Sequence, residues 1–275
     1  MQFSRQTISS KMSAQSDRRR SYIVLYCLGT FTLLLMLISI TESKKAFDYC
    51  QAGLCATGTR HVACNGHKFG SNCSRPMLIK MSPKYVNLIL NFHNTKRNHL
   101  ACGSMRRYAS ASAMQKLHWS DELSQLAEYN AKSCNFAHDE CHNTVKHRHT
   151  GQSIGMKWFH GFNYTTTHVV RDIIRKWYLE HKLTKQRDMD RFVFGPHTFD
   201  IGHFTQIVNA DTTEVGCALV RFQKRQKSLS FVHYYLVCNY SEGNLYDRPV
   251  YQKGKRCSKC KHGCTMGQFR CLCRG

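Results

Sequence analysis

The chain has 275 residues and 42% hydrophobic content, enough for one sizeable core and a small appended module. Its 15 cysteines exceed ordinary usage and indicate either metal sites or disulfide bonds, depending on the compartment. Forty Lys and Arg against 17 Asp and Glu give a formal net charge of +23, which favours anionic partners such as glycosaminoglycans, acidic lipids or sialylated surfaces. A solvated basic face without a specific anionic partner is the alternative.

Residues 1–46 have the composition of an export signal. Basic residues, including Arg18, Arg19 and Arg20, precede an uncharged apolar stretch from Tyr22 to Ile40. That stretch is also long enough to span a bilayer, so a signal-anchor of type II orientation at the cell surface is the alternative to a cleaved signal peptide. Either route delivers the chain to an oxidising compartment, which favours disulfides and disfavours a nucleic-acid partner.

Residues 47–80 are rich in Cys, Gly and Asn and show no sustained periodicity. The four cysteines of this stretch, Cys50, Cys55, Cys64 and Cys73, predict a loop-rich arm that is cross-linked to a larger body. Cys27 lies inside the apolar stretch, and the other 14 cysteines form the even number that a closed disulfide framework needs.

Three helices are predicted in the main domain, residues 81–245. The first begins near Pro83, a favoured opening residue, and the second begins after Ser120 as N-cap. The third covers roughly residues 168–182, where Glu180 falls seven residues after Ile173 on the apolar face. Because a carboxylate that points toward a core needs a partner, Glu180 is the first indication of a site.

Two β-like runs follow, Val215–Phe222 and Phe231–Asn239, and the basic residues between them predict an exposed hairpin loop. Cys217 and Cys238 lie centrally enough to be bridged across neighbouring strands. Helices interspersed with an antiparallel sheet predict an α+β domain built in layers.

Residues 246–275 form a Cys-rich tail with too few apolar residues for a core of its own. A zinc knuckle and a set of disulfides are both compatible with the cysteine spacing, and the oxidising compartment favours disulfides. The tail contains Cys257, Cys260, Cys264, Cys271 and Cys273.

Six short motifs occur in the order known from the CAP superfamily, which includes cysteine-rich secretory proteins, antigen 5 allergens and plant pathogenesis-related proteins. They are His93-Asn94 with Arg97, Trp119-Ser120-Asp121-Glu122-Leu123, Gly151-Gln152-Ser153-Ile154, Trp177-Tyr178-Leu179-Glu180, Gly202-His203-Phe204-Thr205-Gln206 and Cys238-Asn239-Tyr240. The resemblance covers about residues 47–250. The arm that begins Asp48-Tyr49-Cys50 resembles the insect venom-allergen antigen 5 branch in particular.

This resemblance implies a three-layer α-β-α sandwich with a central cleft lined by two histidines and two acidic residues. Matched motif by motif, the cleft residues are His138, Gln152, Glu180 and His203. Zinc held by His138, Glu180 and His203, with water in a fourth position, is the implied cofactor. Gln152 departs from the glutamate of the family, and its amide weakens both the metal and the hydrolytic interpretation. A buried polar network without chemistry is the alternative.

The antigen 5 branch also implies four disulfides: Cys50–Cys64, Cys55–Cys141, Cys73–Cys134 and Cys217–Cys238. Cys102 and the five tail cysteines are left for three further bridges, whose pairing the sequence leaves open. Among three sequons, Asn163 is the best candidate for glycosylation. His142, His147 and His149 predict a solvated, pH-responsive basic loop, with a surface metal site as the alternative.

The function expected from these features is that of a secreted, monomeric, non-enzymatic binding or signalling protein. Its candidate ligands are a sterol, another lipid or an anionic polysaccharide. A metal-dependent hydrolase that uses His138, Glu180 and His203 is one alternative. An effector of a membrane receptor or channel that acts through residues 246–275 is the other.

Overall fold

A computed structural model describes residues 47–51, 53–65, 68–162, 164–193 and 195–275. The predicted signal or anchor, residues 1–46, and the candidate glycosylation residue Asn163 lie outside these ranges. The elements described below belong to the compact unit Tyr49–Gly275. No helix in the described ranges combines the length and apolar character needed to cross a bilayer.

The described residues contain five α-helices and five strands, joined by four short 3-10 turns. In chain order they are β1 (Ser74–Ile79), α1 (Pro83–Ala101), β2 (His118–Trp119), α2 (Asp121–Ala131), β3 (Gly151–Phe159), α3 (Thr166–Leu179), α4 (Gln186–Asp190), α5 (Gly202–Ile207), β4 (Glu214–Gln226) and β5 (Leu229–Tyr240). The 3-10 turns are Val62–Asn65, Glu180–Lys182, Pro196–Asp200 and Gly267–Phe269.

The strands form one sheet in the order β1-β4-β5-β3, with antiparallel neighbours, and β2 adds a short parallel pairing to the start of β4. Helices α1 and α3 cover one face, where Ile89 and Ile174 pack with Leu236. Helix α2 covers the other face, where Ala127 packs with Val237. Successive strand residues point to opposite faces, so Leu236 and Val237 separate the two helical layers. The α-β-α sandwich of the α+β class is therefore confirmed.

The local signals at the helix starts act as expected. The Ser120 hydroxyl accepts a hydrogen bond from the backbone N–H of Leu123 at 3.2 Å, and Asp121 and Glu122 occupy the first turn of α2. Helix α3 ends earlier than the sequence predicts, at Leu179, and Glu180 opens a 3-10 turn. Glu180 therefore lies at the helix end and not on its apolar stripe, which frees its carboxylate to reach α5.

Two glycines allow helices to approach the sheet closely. A Cβ at Gly216 on β4 would lie 2.2 Å from the backbone nitrogen of Ser124 and 2.3 Å from the carbonyl oxygen of Ser120. A Cβ at Gly155 on β3 would lie 2.3 Å from Ile173 of α3. Only glycine leaves room for the helix backbone at the first of these positions.

Three segments differ from the sequence prediction. The last part of the arm is not a loop but an edge strand, β1, whose Pro76 is tolerated because an edge strand has an unpaired side. The motif that begins at Gly151, where the family resemblance implies a turn, is the start of β3. The hairpin strands are longer than predicted, so that Lys224 and Arg225 belong to β4 and the turn itself contains Lys227 in a left-handed conformation, with φ 54°.

Seven disulfides cross-link the described residues. Four are the pairs implied by the antigen 5 resemblance: Cys50–Cys64, Cys55–Cys141, Cys73–Cys134 and Cys217–Cys238. The other three are Cys102–Cys271, Cys257–Cys264 and Cys260–Cys273. The tail cysteines that suggested a zinc knuckle are thus oxidised pairs, which offer no thiolate to a metal.

Arg97 on α1 is completely buried and ties the sandwich together near α5. Its guanidinium donates to the carbonyl oxygens of Gln115, at 2.7 and 2.9 Å, of Asn209, at 2.6 Å, and of Thr212, at 2.9 Å. Burial lowers the pKa of Arg97 to about 9, although the nearby Asp211 acts in the opposite direction. The side-chain amide of Asn209 donates to the carbonyl oxygen of Gly243 at 2.8 Å.

Candidate functional site

His203 lies in the first turn of α5, where Glu180 fixes it through the side chain and the backbone. Its Nδ1 is 2.6 Å from Glu180 Oε1. The second oxygen, Oε2, accepts the backbone N–H groups of His203 at 2.8 Å and Phe204 at 3.0 Å. The residue before the helix, Ile201, has no side-chain acceptor, so the Glu180 carboxylate takes the place of an N-cap.

Trp177 supports the same imidazole from one face. The two rings are stacked with centroids 5.4 Å apart and an interplanar angle of 6°. The indole N–H of Trp177 donates to the carbonyl oxygen of Ile154 on β3 at 3.2 Å, which fixes the indole against the edge strand. His203 therefore has one orientation determined by a carboxylate, a helix terminus and an aromatic face.

His138 is held in a different way, by an amide. Its Nδ1 is 2.8 Å from Gln152 Oε1, and the side chain of His138 is exposed. The Gln152 Nε2 group donates to Asp139 Oδ2 at 2.7 Å and to Asn239 Oδ1 at 3.0 Å. Gln152 on β3 thus connects the loop after α2, which contains both His138 and Asp139, to the end of β5.

Asp139 and His142 belong to this network, although the sequence interpretation did not include them. His142 Nδ1 is 2.5 Å from Asp139 Oδ1, and Asn130 donates to Asp139 Oδ2 at 3.0 Å. Burial acts to raise the pKa of Asp139, but the hydrogen bond and charge of His142 and the donation from Gln152 and Asn130 hold it below its ordinary value.

The prediction of a solvated histidine loop is wrong for His142, which is only 8% exposed. The partner of His147 is Glu214, with Nε2 2.9 Å from its carboxylate. The spacing His138-Asp139…His142, which places an acid between two imidazoles, is the sequence signal that could have predicted the pairing of Asp139 with His142.

The Asp139 carboxylate gives a physical reason for glutamine at position 152. An amide offers an acceptor to His138 and a donor to Asp139 at the same time. A glutamate here would place a second carboxylate about 2.7 Å from the first, and like charges at that distance disfavour joint ionisation. The replacement of the family's glutamate by Gln152 therefore suits the neighbouring Asp139.

The three predicted zinc ligands have two different roles in the structure: two histidines have a ring nitrogen available for a metal, and Glu180 orients one of them. Each imidazole has its Nδ1 against an oxygen, the arrangement that orients metal-binding histidines, which leaves Nε2 as the donor atom. Both carboxylate oxygens of Glu180 already accept hydrogen bonds from His203 and the start of α5. Glu180 is therefore better suited to orienting His203 than to binding a metal directly. In the described ranges, the one group of three such donors within 4.8 Å is the disulfide-bonded Cys257, Cys260 and Cys264. Zinc binding by the cleft stays a prediction.

The described residues show no serine or cysteine nucleophile activated by a histidine. No serine hydroxyl among them hydrogen-bonds a histidine ring, and the 14 cysteines from Cys50 onward are in disulfides. Ser120 caps α2, and Ser153 is a completely buried residue of β3. The arrangement can hold two imidazoles at fixed positions beside β3, but it does not form a catalytic triad.

Comparison with known proteins identifies the family. The family model for CAP, the cysteine-rich secretory protein family, matches residues 90–240. Venom allergen-1 of Aedes aegypti is 38% identical over 82% of this chain and 87% of its own length, and the antigen 5 like allergen Cul n 1 of Culicoides nubeculosus is 32% identical over 68% and 90%.

Two solved structures share the fold. The structure of BmVAL-1 has a TM-score of 0.57 and 20% identity over 71% of this chain and 96% of its own. The crystal structure of NaASP2 with Zn2+ has a TM-score of 0.53 and 24% identity over 70% and 97%. Together with the family model and the two allergens, this likeness shows that the chain belongs to the CAP family of cysteine-rich secretory proteins, in its antigen 5-like branch.

Proposed function

We propose that this protein is a secreted, non-enzymatic binding protein whose ligands are anionic extracellular polymers or surfaces. The observation that carries the proposal is the excess of exposed, unpaired cations. Residues 1–46 contain seven Lys and Arg and two Asp and Glu, so the rest of the chain still carries +18. Such a surface raises the local concentration of anions and accelerates their association.

Few of these cations are neutralised internally. Six of them form ion pairs with carboxylates in the described part of the chain: Lys132, Lys146, Lys157, Arg187, Arg191 and Lys253. The others have no carboxylate within 4.0 Å among the described residues 49–275. Unpaired cations repel one another, and an anionic ligand relieves that repulsion.

The cleft supports binding over hydrolysis. A general base needs a free lone pair directed at the reacting proton. Glu180 already accepts one side-chain and two backbone hydrogen bonds, and position 152 is an amide. The hydrolase alternative therefore lacks a free carboxylate base. It would be revived by turnover of a peptide or ester substrate that disappears in His203→Ala.

A sterol or lipid ligand is less well supported. A cavity of about 540 Å3 lies beside the end of α5, and its lining includes Asp211, Glu242, Arg248 and Lys259. Burial raises the pKa of Glu242, and the charge of Asp211 adds to the effect. A cavity with charged walls does not suit an apolar ligand, because its polar groups would lose water without gaining partners.

The test measures saturable binding of the secreted protein to immobilised heparin, to vesicles with and without anionic lipid, and to a labelled sterol. We expect binding to heparin at physiological salt that weakens as salt is raised, since screening acts on exposed charges. Absence of saturable binding to all of these probes would overturn the proposal. Saturable binding of the sterol alone would replace it with lipid carriage.

A two-histidine metal site is a second candidate, favoured by the free Nε2 atoms of His138 and His203. The metal content of purified wild type, of His138→Ala/His203→Ala and of Glu180→Gln decides it. Zinc in wild type, none in the double variant and an intermediate amount in Glu180→Gln support a site with Glu180 as orienting acceptor. Absence of zinc from all three, with equal folding, leaves the residues as a polar scaffold.

A further inference from the structure

The C-terminal tail concentrates positive charge more than any other segment of similar length. Residues 246–275 contain eight Lys and Arg and one acidic residue, Asp247. All eight basic side chains are exposed, and of these Lys253 alone has an ion pair within the described residues 49–275, with Asp190. Charge of one sign at this density is costly in a 30-residue segment unless an anion offsets it.

The disulfides bring two halves of the tail side by side. The Arg256 guanidinium lies 3.7 Å from the sulfur of Cys271, next to Arg270. The backbone N–H of Arg274 donates to the carbonyl of Gly263 at 2.9 Å, and its guanidinium lies 3.5 Å from the carbonyl oxygen of Cys264. Cations from residues 255–261 and from residues 270–274 are therefore presented on one small module.

That module is fixed on the sandwich before any ligand arrives. The disulfide Cys102–Cys271 joins it to the end of α1, where Asn98 accepts the backbone N–H of Cys271 at 2.9 Å. The backbone N–H of Lys259 donates to Ser112 at 3.0 Å, and Leu272 is completely buried. A preorganised site loses little conformational entropy on binding, which raises affinity at a given number of contacts.

The side chains favour a polymer of sulfate groups over a membrane. Within the described residues 246–275, the exposed large apolar side chains are Tyr246, at 54%, and Met266, at 86%. Stable attachment to a bilayer needs a larger apolar surface to insert beside the cations. The ammonium and guanidinium groups of the tail, by contrast, can form charge-assisted hydrogen bonds to the oxygens of sulfate and carboxylate without any apolar surface beside them.

We infer that the tail is the binding site for a linear sulfated polysaccharide, with Lys255, Arg256, Lys259 and Lys261 as its main contacts and Arg270 and Arg274 beside them. This inference rests on the proposed function, because it names the site and the ligand class for binding of an anionic polymer. The Lys259 ammonium, whose hydrogen-bond acceptor in the protein is the Gln252 amide at 3.0 Å, is free to exchange that contact for a sulfate oxygen.

The hairpin at the other end of the sheet provides a matched control. It carries four cations without an ion pair to the described residues 49–275: Arg221, Lys224, Arg225 and Lys227. Strand β4 has 13 residues and thus spans roughly 40 Å between the hairpin and its first residue. The tail lies at that first end, since its last residue approaches His118 of β2, which pairs with Glu214. The two cationic regions can therefore be altered independently.

The experiment measures the Kd of full-length secreted protein for heparin as a function of salt. The tail variant combines Lys255→Gln, Arg256→Gln, Lys259→Gln and Lys261→Gln, and the control combines Arg221→Gln, Lys224→Gln, Arg225→Gln and Lys227→Gln. We expect the tail variant to bind about tenfold or more weakly at physiological salt, with a shallower salt dependence because fewer counterions are released. The control should stay within about twofold of wild type, because the removed charges are a Debye length or more away.

A wrong binding site and a wrong proposed function would give different results in this experiment. Equal thermal stability and intact disulfides in both variants establish that they fold. If the hairpin control loses binding and the tail variant does not, the assigned site is wrong while binding of anionic polymers stands. If the tail variant loses binding to anionic vesicles and keeps heparin, the ligand class is wrong. If wild type binds neither heparin nor anionic vesicles, the proposed function itself fails.

Discussion

In the sandwich, core residues such as Leu123, Leu219 and Leu236 are completely removed from water, whereas the tail buries little. Of its 30 residues, five are buried: Val250, Tyr251, Cys271, Leu272 and Cys273. Three disulfides stabilise the tail, whereas apolar packing stabilises the sandwich. The difference shows how a largely exposed segment can keep a defined fold, because covalent links do not need a core.

The largest expected effect follows from the link between the two regions. Replacing Cys102 and Cys271 by serine opens a loop with a sequence separation of 169 residues. The chain-entropy model gives a loss of about 5 kcal/mol in the free energy of unfolding. Chemical denaturation of the variant against wild type measures it.

Removing Cys257 and Cys264 is the matched control, since that pair closes a separation of seven residues within the tail. The same model gives about 2 kcal/mol for this loop. If both double variants lost the same free energy of unfolding, the stabilisation by Cys102–Cys271 could not come from the length of the loop that it closes.

Within the sandwich, Gly216→Ala should cost about 3 kcal/mol, because its methyl group would overlap with the backbone of Ser120 and Ser124. Gly195→Ala is the control, since a Cβ there meets no atom within 4 Å and its φ of 168° is extended. Thermal unfolding compares the two. A similar stability of both variants would mean that α2 moves away from β4 without cost.

The pH dependence of the core comes next. His93 is fully buried, and burial lowers its pKa to about 4, although the hydrogen bond with the carbonyl of Ile89 acts in the opposite direction. The unfolded chain therefore binds the proton first, and stability is lost as the pH falls from about 6.5 to about 4, by about 3 kcal/mol. His93→Gln should flatten the curve of unfolding free energy against pH in this window, although it also loses the contact with Tyr240. A slope equal to that of wild type would contradict the assignment.

The smallest effect is expected on the tail surface. Met266→Ser removes a side chain that is 86% exposed, so the free energy of unfolding should change by less than about 0.5 kcal/mol. A loss of more than about 1 kcal/mol in the same denaturation experiment would show that the tail has a hydrophobic contact of its own.

Much of the fold follows from local signals. The Ser120 cap, the Pro83 start and the alternation around Cys217 and Cys238 depend on neighbouring residues, and they appear in the structure at the expected positions. Likewise, the cysteine count and the apolar stretch of residues 22–40 are properties of composition alone. The residues His138, Gln152, Glu180 and His203 were identified through the order of family motifs.

What these residues do was decided by tertiary structure. The Glu180 carboxylate accepts hydrogen bonds from the first turn of α5, a helix that begins 22 residues later. Gln152 donates to Asn239 because β3 and β5, which are far apart in the chain, are neighbours in the sheet. His142 was predicted to lie in a solvated loop, but in the structure its ring contacts Asp139 and the backbone carbonyl of Gly151 on β3. The amino-acid sequence by itself indicated three helices, the two hairpin strands and the family, because those depend on short-range patterns of residues. The division of the cleft into two supported imidazoles, and the joining of the tail to α1, depended on contacts between residues far apart in the chain.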